Sequence, residues 1–138
     1  MKIFFDTNVY VSEALLGEFA SDLIAAVKKA GWRVYASQYL LGECERVVQE
    51  KLGFSKRFAV LTRQRIMRRT TLVEPGESRH IVPSNTNDGP ILRAALESGV
   101  DYLVTNDAHL LALHPYEGLR IVSMKTFRQL MVDEGLLG

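Results

Sequence analysis

The sequence predicts an α/β domain built on a parallel sheet with helices on both of its faces. Three observations predict it. Short, fully apolar runs at 3–5, 34–36, 72–73, 102–104 and 121–122 read as buried strands. The longer stretches between most of them repeat apolar residues at helical spacing, and glycines stand where several of those stripes stop. Strands alternating with helices require right-handed crossovers, and these place helices over both faces of a parallel sheet. Ligands of such sheets bind beyond the carboxyl ends of the strands, so functional side chains are expected along that edge.

The elements follow in order. The first strand, Ile3-Phe4-Phe5, stops at Asp6. Phe19, Leu23, Ile24, Val27 and Ala30 then share one face of a helix that Gly31 ends. Ser37 closes the second strand and can cap a helix whose stripe is Leu40, Leu41, Cys44, Val47, Val48 and Leu52, ending at Gly53. A third helix, from about 55 to 69, turns Phe58, Leu61 and Ile66 inward and leads to the third strand. Residues 74–87, with Pro75-Gly76 and Pro83 among Ser and Asn, read as one long loop. Asp88 opens a fourth helix marked by Ile91, Leu92 and Ala95 and closed by Gly99. After the fifth strand, Ser123 can cap a last helix carrying Phe127, Leu130 and Met131 up to Gly135.

With 47% apolar and 24% charged residues, 138 residues suffice to bury one core, so a single domain over 1–138 is expected. The formal net charge of +1 gives no global attraction to nucleic acid, and such a role would need a local patch. Cys44 is the single cysteine, which excludes an internal disulfide and suits a reducing compartment. The apolar start is far shorter than a signal-peptide core, and no stretch is long enough to span a membrane. A cytoplasmic location with no membrane partner is therefore expected.

The carboxylates carry the chemistry. Asp6 follows the first strand and Asp107 follows the fourth, so both face the ligand edge, although either could serve only as a helix cap. Asp88 precedes Ile91, Leu92 and Ala95 by three, four and seven residues and shares their inward face; it too is good capping chemistry before Gly89-Pro90. Glu43 and Glu45 occupy opposite margins of the second helix's stripe, and the wheel does not choose between them. Four carboxylates drawn to one edge could not all stay ionised without a cation or several donors. An oxygen-only cluster suits Mg²⁺ or Mn²⁺, ions that can activate water for in-line attack on a phosphodiester.

These pieces together resemble a PIN domain. The matching segments are Phe5-Asp6-Thr7-Asn8-Val9, Ser37 through Leu41-Gly42-Glu43 to Val47, Asp88-Gly89-Pro90-Ile91 with Ala95, and the run from Asp101 to Asp107 followed by Leu110-Leu111; they span nearly the whole chain. The closest likeness is to the small PIN-family toxins of toxin–antitoxin pairs. The resemblance implies a five-stranded parallel sheet ordered 3-2-1-4-5, an acidic pocket of Asp6, Glu43, Asp88 and Asp107, and Mg²⁺- or Mn²⁺-dependent cleavage of RNA. It selects Glu43 over Glu45, and it makes Thr105 and Asn8 polar supports of the pocket. Relatives often carry further acidic residues just before the third carboxylate, where this chain has Asn85 and Asn87. Either one or two ions are compatible with that difference.

Between 51 and 70 the chain holds Lys51, Lys56, Arg57, Arg63, Arg65, Arg68 and Arg69 and no acidic residue. Lys56, Arg57, Arg63, Arg65, Arg68 and Arg69 are the candidates for contact with RNA phosphates, and a solvated helix face is the plain alternative. Val9, Val11, Leu15, Leu16, Phe19 and Leu23 offer more apolar surface than the sheet edge needs, so some could serve a homodimer or a cognate antitoxin; otherwise they are core. Trp32, Tyr35 and Tyr39 are expected in or beside the core, and none of His80, His109 and His114 is expected to bind metal.

Two rival enzyme classes fail on single residues. A phosphotransfer receiver needs an Asp ending its third strand, where Glu74-Pro75 stands, and a haloacid-dehalogenase-like phosphatase needs an Asp in place of Asn8. The alternative from another class is a PIN-like binding module with little or no nuclease activity.

Overall fold

Five strands form one parallel sheet in the order β3-β2-β1-β4-β5: β1 (Lys2–Phe5), β2 (Arg33–Ser37), β3 (Thr71–Val73), β4 (Tyr102–Val104) and β5 (Arg120–Val122). The structure is a computed structural model describing residues 1–15, 17–73 and 89–138. Leu16, the expected loop at 74–87 and Asp88 lie outside the described residues. The strand order is the one the resemblance implied.

β1 is central because Ile3, Phe4 and Phe5 are apolar on both sides of the pleat. Successive side chains of a strand point to opposite faces, and all three are 0% exposed, so both faces of β1 are covered. Phe5 makes edge-to-face contacts with Tyr10 and with Phe127, and Trp32 and Tyr102 also pack on Phe127. Trp32 is thus a core-edge residue, as its strand-flanking position predicts.

The helices are α1 (Thr7–Ala14), α2 (Glu18–Lys29), α3 (Gln38–Arg46), α4 (Lys56–Arg69), α5 (Gly89–Ser98), α6 (Ala108–Leu111) and α7 (Met124–Asp133). Caps set several of their starts. Ser37, Ser55 and Ser123 each accept a hydrogen bond from the amide three residues on, and Asp6 and Asp107 cap α1 and α6. α2 packs on α7 and on β2, whereas α3 packs on α4, and α5 on β2 and β3. None of the described helices is long and apolar enough to cross a membrane.

Two expectations are corrected. The second helix is not one α-helix through Leu52: α3 ends at Arg46 and a π-helical turn, Val47–Lys51, follows. Its wider winding turns Leu52 out of the apolar stripe, and Leu52 is exposed rather than core. Leu61, expected to face inward, is also exposed; Ala59 and Ile66 carry the buried face of α4 instead.

Candidate active site at the carboxyl edge of the sheet

β1 and β4 are neighbours in register, with Phe5 opposite Val104, so the residues that follow them meet at the carboxyl edge. The Asp6 amide donates to Val104 O at 2.9 Å, and the Thr105 amide donates to Val122 O at 2.9 Å. Asp6 and Thr105 are thereby pinned side by side. The Thr105 hydroxyl, wholly buried, donates to Asp6 Oδ2 at 2.7 Å and accepts from the Asp107 amide at 3.0 Å. One hydroxyl therefore couples the two strand-end carboxylates.

Each carboxylate has a further anchor. Asp6 Oδ1 accepts from the Thr7 amide at 2.7 Å, which places the charge at the positive end of α1. Asp107 Oδ1 accepts from the amides of His109 (2.8 Å) and Leu110 (3.2 Å), the capping role its sequence position suggested. Its Oδ2 accepts nothing among the described residues. Glu43 comes from the middle of α3, where the Tyr39 hydroxyl donates to Oε1 at 3.3 Å and Arg46 donates to Oε2 at 3.3 Å.

Asp6, Glu43 and Asp107 line one open cleft of about 310 Å³. Thr7, Asn8, Val11 and Ile91 line it beside them, as do Arg46, Val47 and Lys51 from α3 and the π-helical turn after it. Asn8 lines the cleft, with its Oδ1 accepting from the Asn106 amide at 3.4 Å. Asn106 in turn accepts from the Met124 amide at 3.1 Å, which ties the site to the start of α7. Glu45 lies elsewhere, 3.7 Å from Arg63 on α4, so the fold separates the two glutamates that the wheel could not.

Among the described residues no three His, Cys, Asp or Glu side chains form a ready-made cage for one ion. The donor chemistry nonetheless fits a hard divalent cation, because Asp6, Glu43 and Asp107 offer carboxylate oxygen and no soft donor lines the cleft among the described residues. The local field agrees: burial, then the charges of Asp6 and Glu43, push the thiol of buried Cys44 well above its ordinary range. His114 is occupied structurally, accepting from the Ile121 amide through Nδ1 at 2.9 Å.

The basic residues of α4 are dispersed. Arg69 makes a bidentate pair with Glu13 on α1, donating at 2.8 and 2.7 Å, and Arg65 lies 3.5 Å from the same carboxylate. The Glu13 hydrogen bond and charge hold Arg69 protonated against the burial that opposes it. Arg63 donates to Gln38 at 2.8 Å. Lys56, Arg57 and Arg68 are exposed and make no ion pair among the described residues, and no α4 residue lines the acidic cleft.

A family model describing the PIN domain matches residues 2–109. The chain belongs to the PIN domain family. This PIN domain is similar in structure to a chain in the crystal structure of VapBC2 from Rickettsia felis bound to a DNA fragment from their promoter. The TM-score is 0.67 and the identity 15%, over 89% of this chain and 98% of that one, and at such identity the likeness speaks for the fold. No curated protein matches the sequence.

Two partners of Glu43 were not assigned to the PIN domain's site from sequence, and Tyr39, expected in or beside the core, is exposed. Tyr39 and Arg46 stand four before and three after Glu43, a helical spacing that could have flagged both. Lys51 was counted only with the basic run 51–70, and its place in the cleft follows the π-helical turn.

Proposed function

We propose that this PIN domain is a Mg²⁺- or Mn²⁺-dependent ribonuclease of the cytoplasm, contained in one domain, and the toxin of a toxin–antitoxin pair. The observation that carries the reading is the convergence of Asp6, Glu43 and Asp107, from three separate elements, on one cleft. Asp6 and Asp107 would hold the ion, with Glu43 and Asp88 completing or orienting its shell; one or two ions suit this set. A divalent cation there supplies Lewis acidity, lowering the pKa of water and neutralising charge that develops on phosphate oxygens.

The chain's own groups prepare that site. Thr105 holds Asp6 Oδ2 and the Asp107 backbone through one hydroxyl, so the two carboxylates move as a unit. Tyr39 and Arg46 restrain Glu43 from either side. Asn8 and Asn106 stiffen the loop between β4 and α6. Lys56, Arg57 and Arg68 remain free to meet RNA phosphates outside the cleft, whereas Arg65 and Arg69 are committed to Glu13. Of the expected set, Leu15 and Phe19 are exposed and available to an antitoxin or a second copy, and Val9 and Leu23 are core.

The test pairs thermal shift under Mg²⁺ and Mn²⁺ titration with cleavage of a general RNA substrate. Asp6→Ala would also lose the α1 cap, at about 0.5–2 kcal/mol, so Asp6→Asn is the cleaner variant. Stabilisation by metal and cleavage should both be present in the wild type and both vanish in Asp6→Asn. Absence of any metal response in the folded wild type would replace this reading with that of a binding module.

A further inference from the structure

We propose that Arg46 and Lys51, both lining the cleft, form a phosphate-binding pair, and that the π-helical turn Val47–Lys51 creates it. The proposal rests on the nuclease reading of the cleft and names what grips its substrate there: a backbone phosphate flanking the one attacked. In an unbroken α-helix the residue seven positions after Glu43 shares its face, and that residue is Glu50. The turn, closed by the Leu52 amide donating to Val47 O at 3.0 Å, winds in one additional residue. Lys51 therefore lines the cleft, and the Glu50 side chain is left 67% exposed. A fourth carboxylate is exchanged for an ammonium.

Electrostatics makes the exchange meaningful. Three carboxylates facing one opening repel a polyanion, and Arg46 and Lys51 are the two cationic side chains among the described residues lining it. Arg46 touches Glu43 through a single 3.3 Å contact and Glu50 at 3.9 Å with its side chain 42% exposed, a loose arrangement that leaves donors for phosphate. Lys51 makes no ion pair among the described residues. The arginines of α4 differ: Arg63, Arg65 and Arg69 are engaged by Glu45 and Glu13.

The experiment measures binding of a labelled single-stranded RNA oligonucleotide, without divalent metal, to full-length Asp6→Asn protein across a salt series, with Lys51→Ala, Lys51→Arg and Lys51→Glu added in turn. Lys51→Ala should weaken binding roughly three- to tenfold and lower the salt slope by about 0.7, as for one lost single-strand phosphate contact. Lys51→Arg should restore both, and Lys51→Glu should weaken binding further. In the cleaving protein the same Lys51→Ala change should raise KM more than it lowers kcat. Unchanged affinity and slope in Lys51→Ala would overturn the proposal, since Lys51 is exposed and its loss does not threaten the fold. A wild type that binds with this dependence yet never cleaves would refute the nuclease reading while supporting the phosphate contact.

Discussion

Replacing Thr105 by valine tests the coupling at the centre of the site. Valine keeps the branched shape, so the core gains no void, but two hydrogen bonds disappear: the one donated to Asp6 Oδ2 at 2.7 Å and the one accepted from the Asp107 amide at 3.0 Å. The first involves an ionised, almost fully buried acceptor and contributes about 1.5–3 kcal/mol; the second, between neutral groups, contributes about 0.5–1.5 kcal/mol. The sum is about 2–4.5 kcal/mol. At roughly 3–4 °C per kcal/mol for a chain of this size, the melting temperature should fall by about 6–18 °C. Thr105→Ser keeps the hydroxyl and loses one buried methyl, for about 1 kcal/mol. Urea unfolding in the presence of a chelator removes any contribution from metal and reads both variants directly. The reasoning fails if Thr105→Val unfolds within about 0.5 kcal/mol of wild type, or if Thr105→Ser is the less stable of the two.

Two further outcomes concern the ion pair between α1 and α4 and the buried thiol beside Glu43. Glu13→Ala should destabilise by about 2–3 kcal/mol in urea melts; the figure for breaking a buried pair, about 3–5 kcal/mol, is reduced because Arg69 keeps some access to water. An Arg69→Met change in the same background should recover part of that loss, and a strictly additive double mutant would show that the pair is not coupled. At alkaline pH, burial keeps Cys44 and Tyr10 protonated in the folded state, with both groups raised above their ordinary ranges. The native state then binds more protons than the unfolded chain, so stability should fall as pH rises past about 8.5–9, by up to about 1.4 kcal/mol per pH unit from the thiol alone. Cys44→Ala should remove that first phase in a pH series of chemical melts; an unchanged profile would contradict it.

The strand-end residues show why part of the site was readable in advance. Asp6 follows an apolar run directly and Asp107 comes three residues after Val104, and the place of a strand end in a parallel sheet follows from local pattern alone. Glu43 was different. Its helix position allowed Glu45 equally, and only the packing of α3 on α4, with Glu45 beside Arg63, separates the two. The partners of the α4 arginines were hidden for a related reason: the run 51–70 contains no acid, yet Glu13, 56 residues from Arg69 in sequence, takes that guanidinium and lies near Arg65.

By itself, then, the sequence determined what depends on short-range order: the alternation of strands and helices, the serine caps of two helices, the glycine stops and the two carboxylates near strand ends. Those features arise from backbone hydrogen bonding and apolar periodicity within a few residues. The tertiary structure decided which charges meet. Pairing energies reach across tens of residues, so the Glu13–Arg69 pair and the Thr105 bridge between Asp6 and Asp107 exist only once the sheet has assembled. It also decided the winding at 47–51, where one additional residue in a turn sends Glu50 to solvent and brings Lys51 to the cleft.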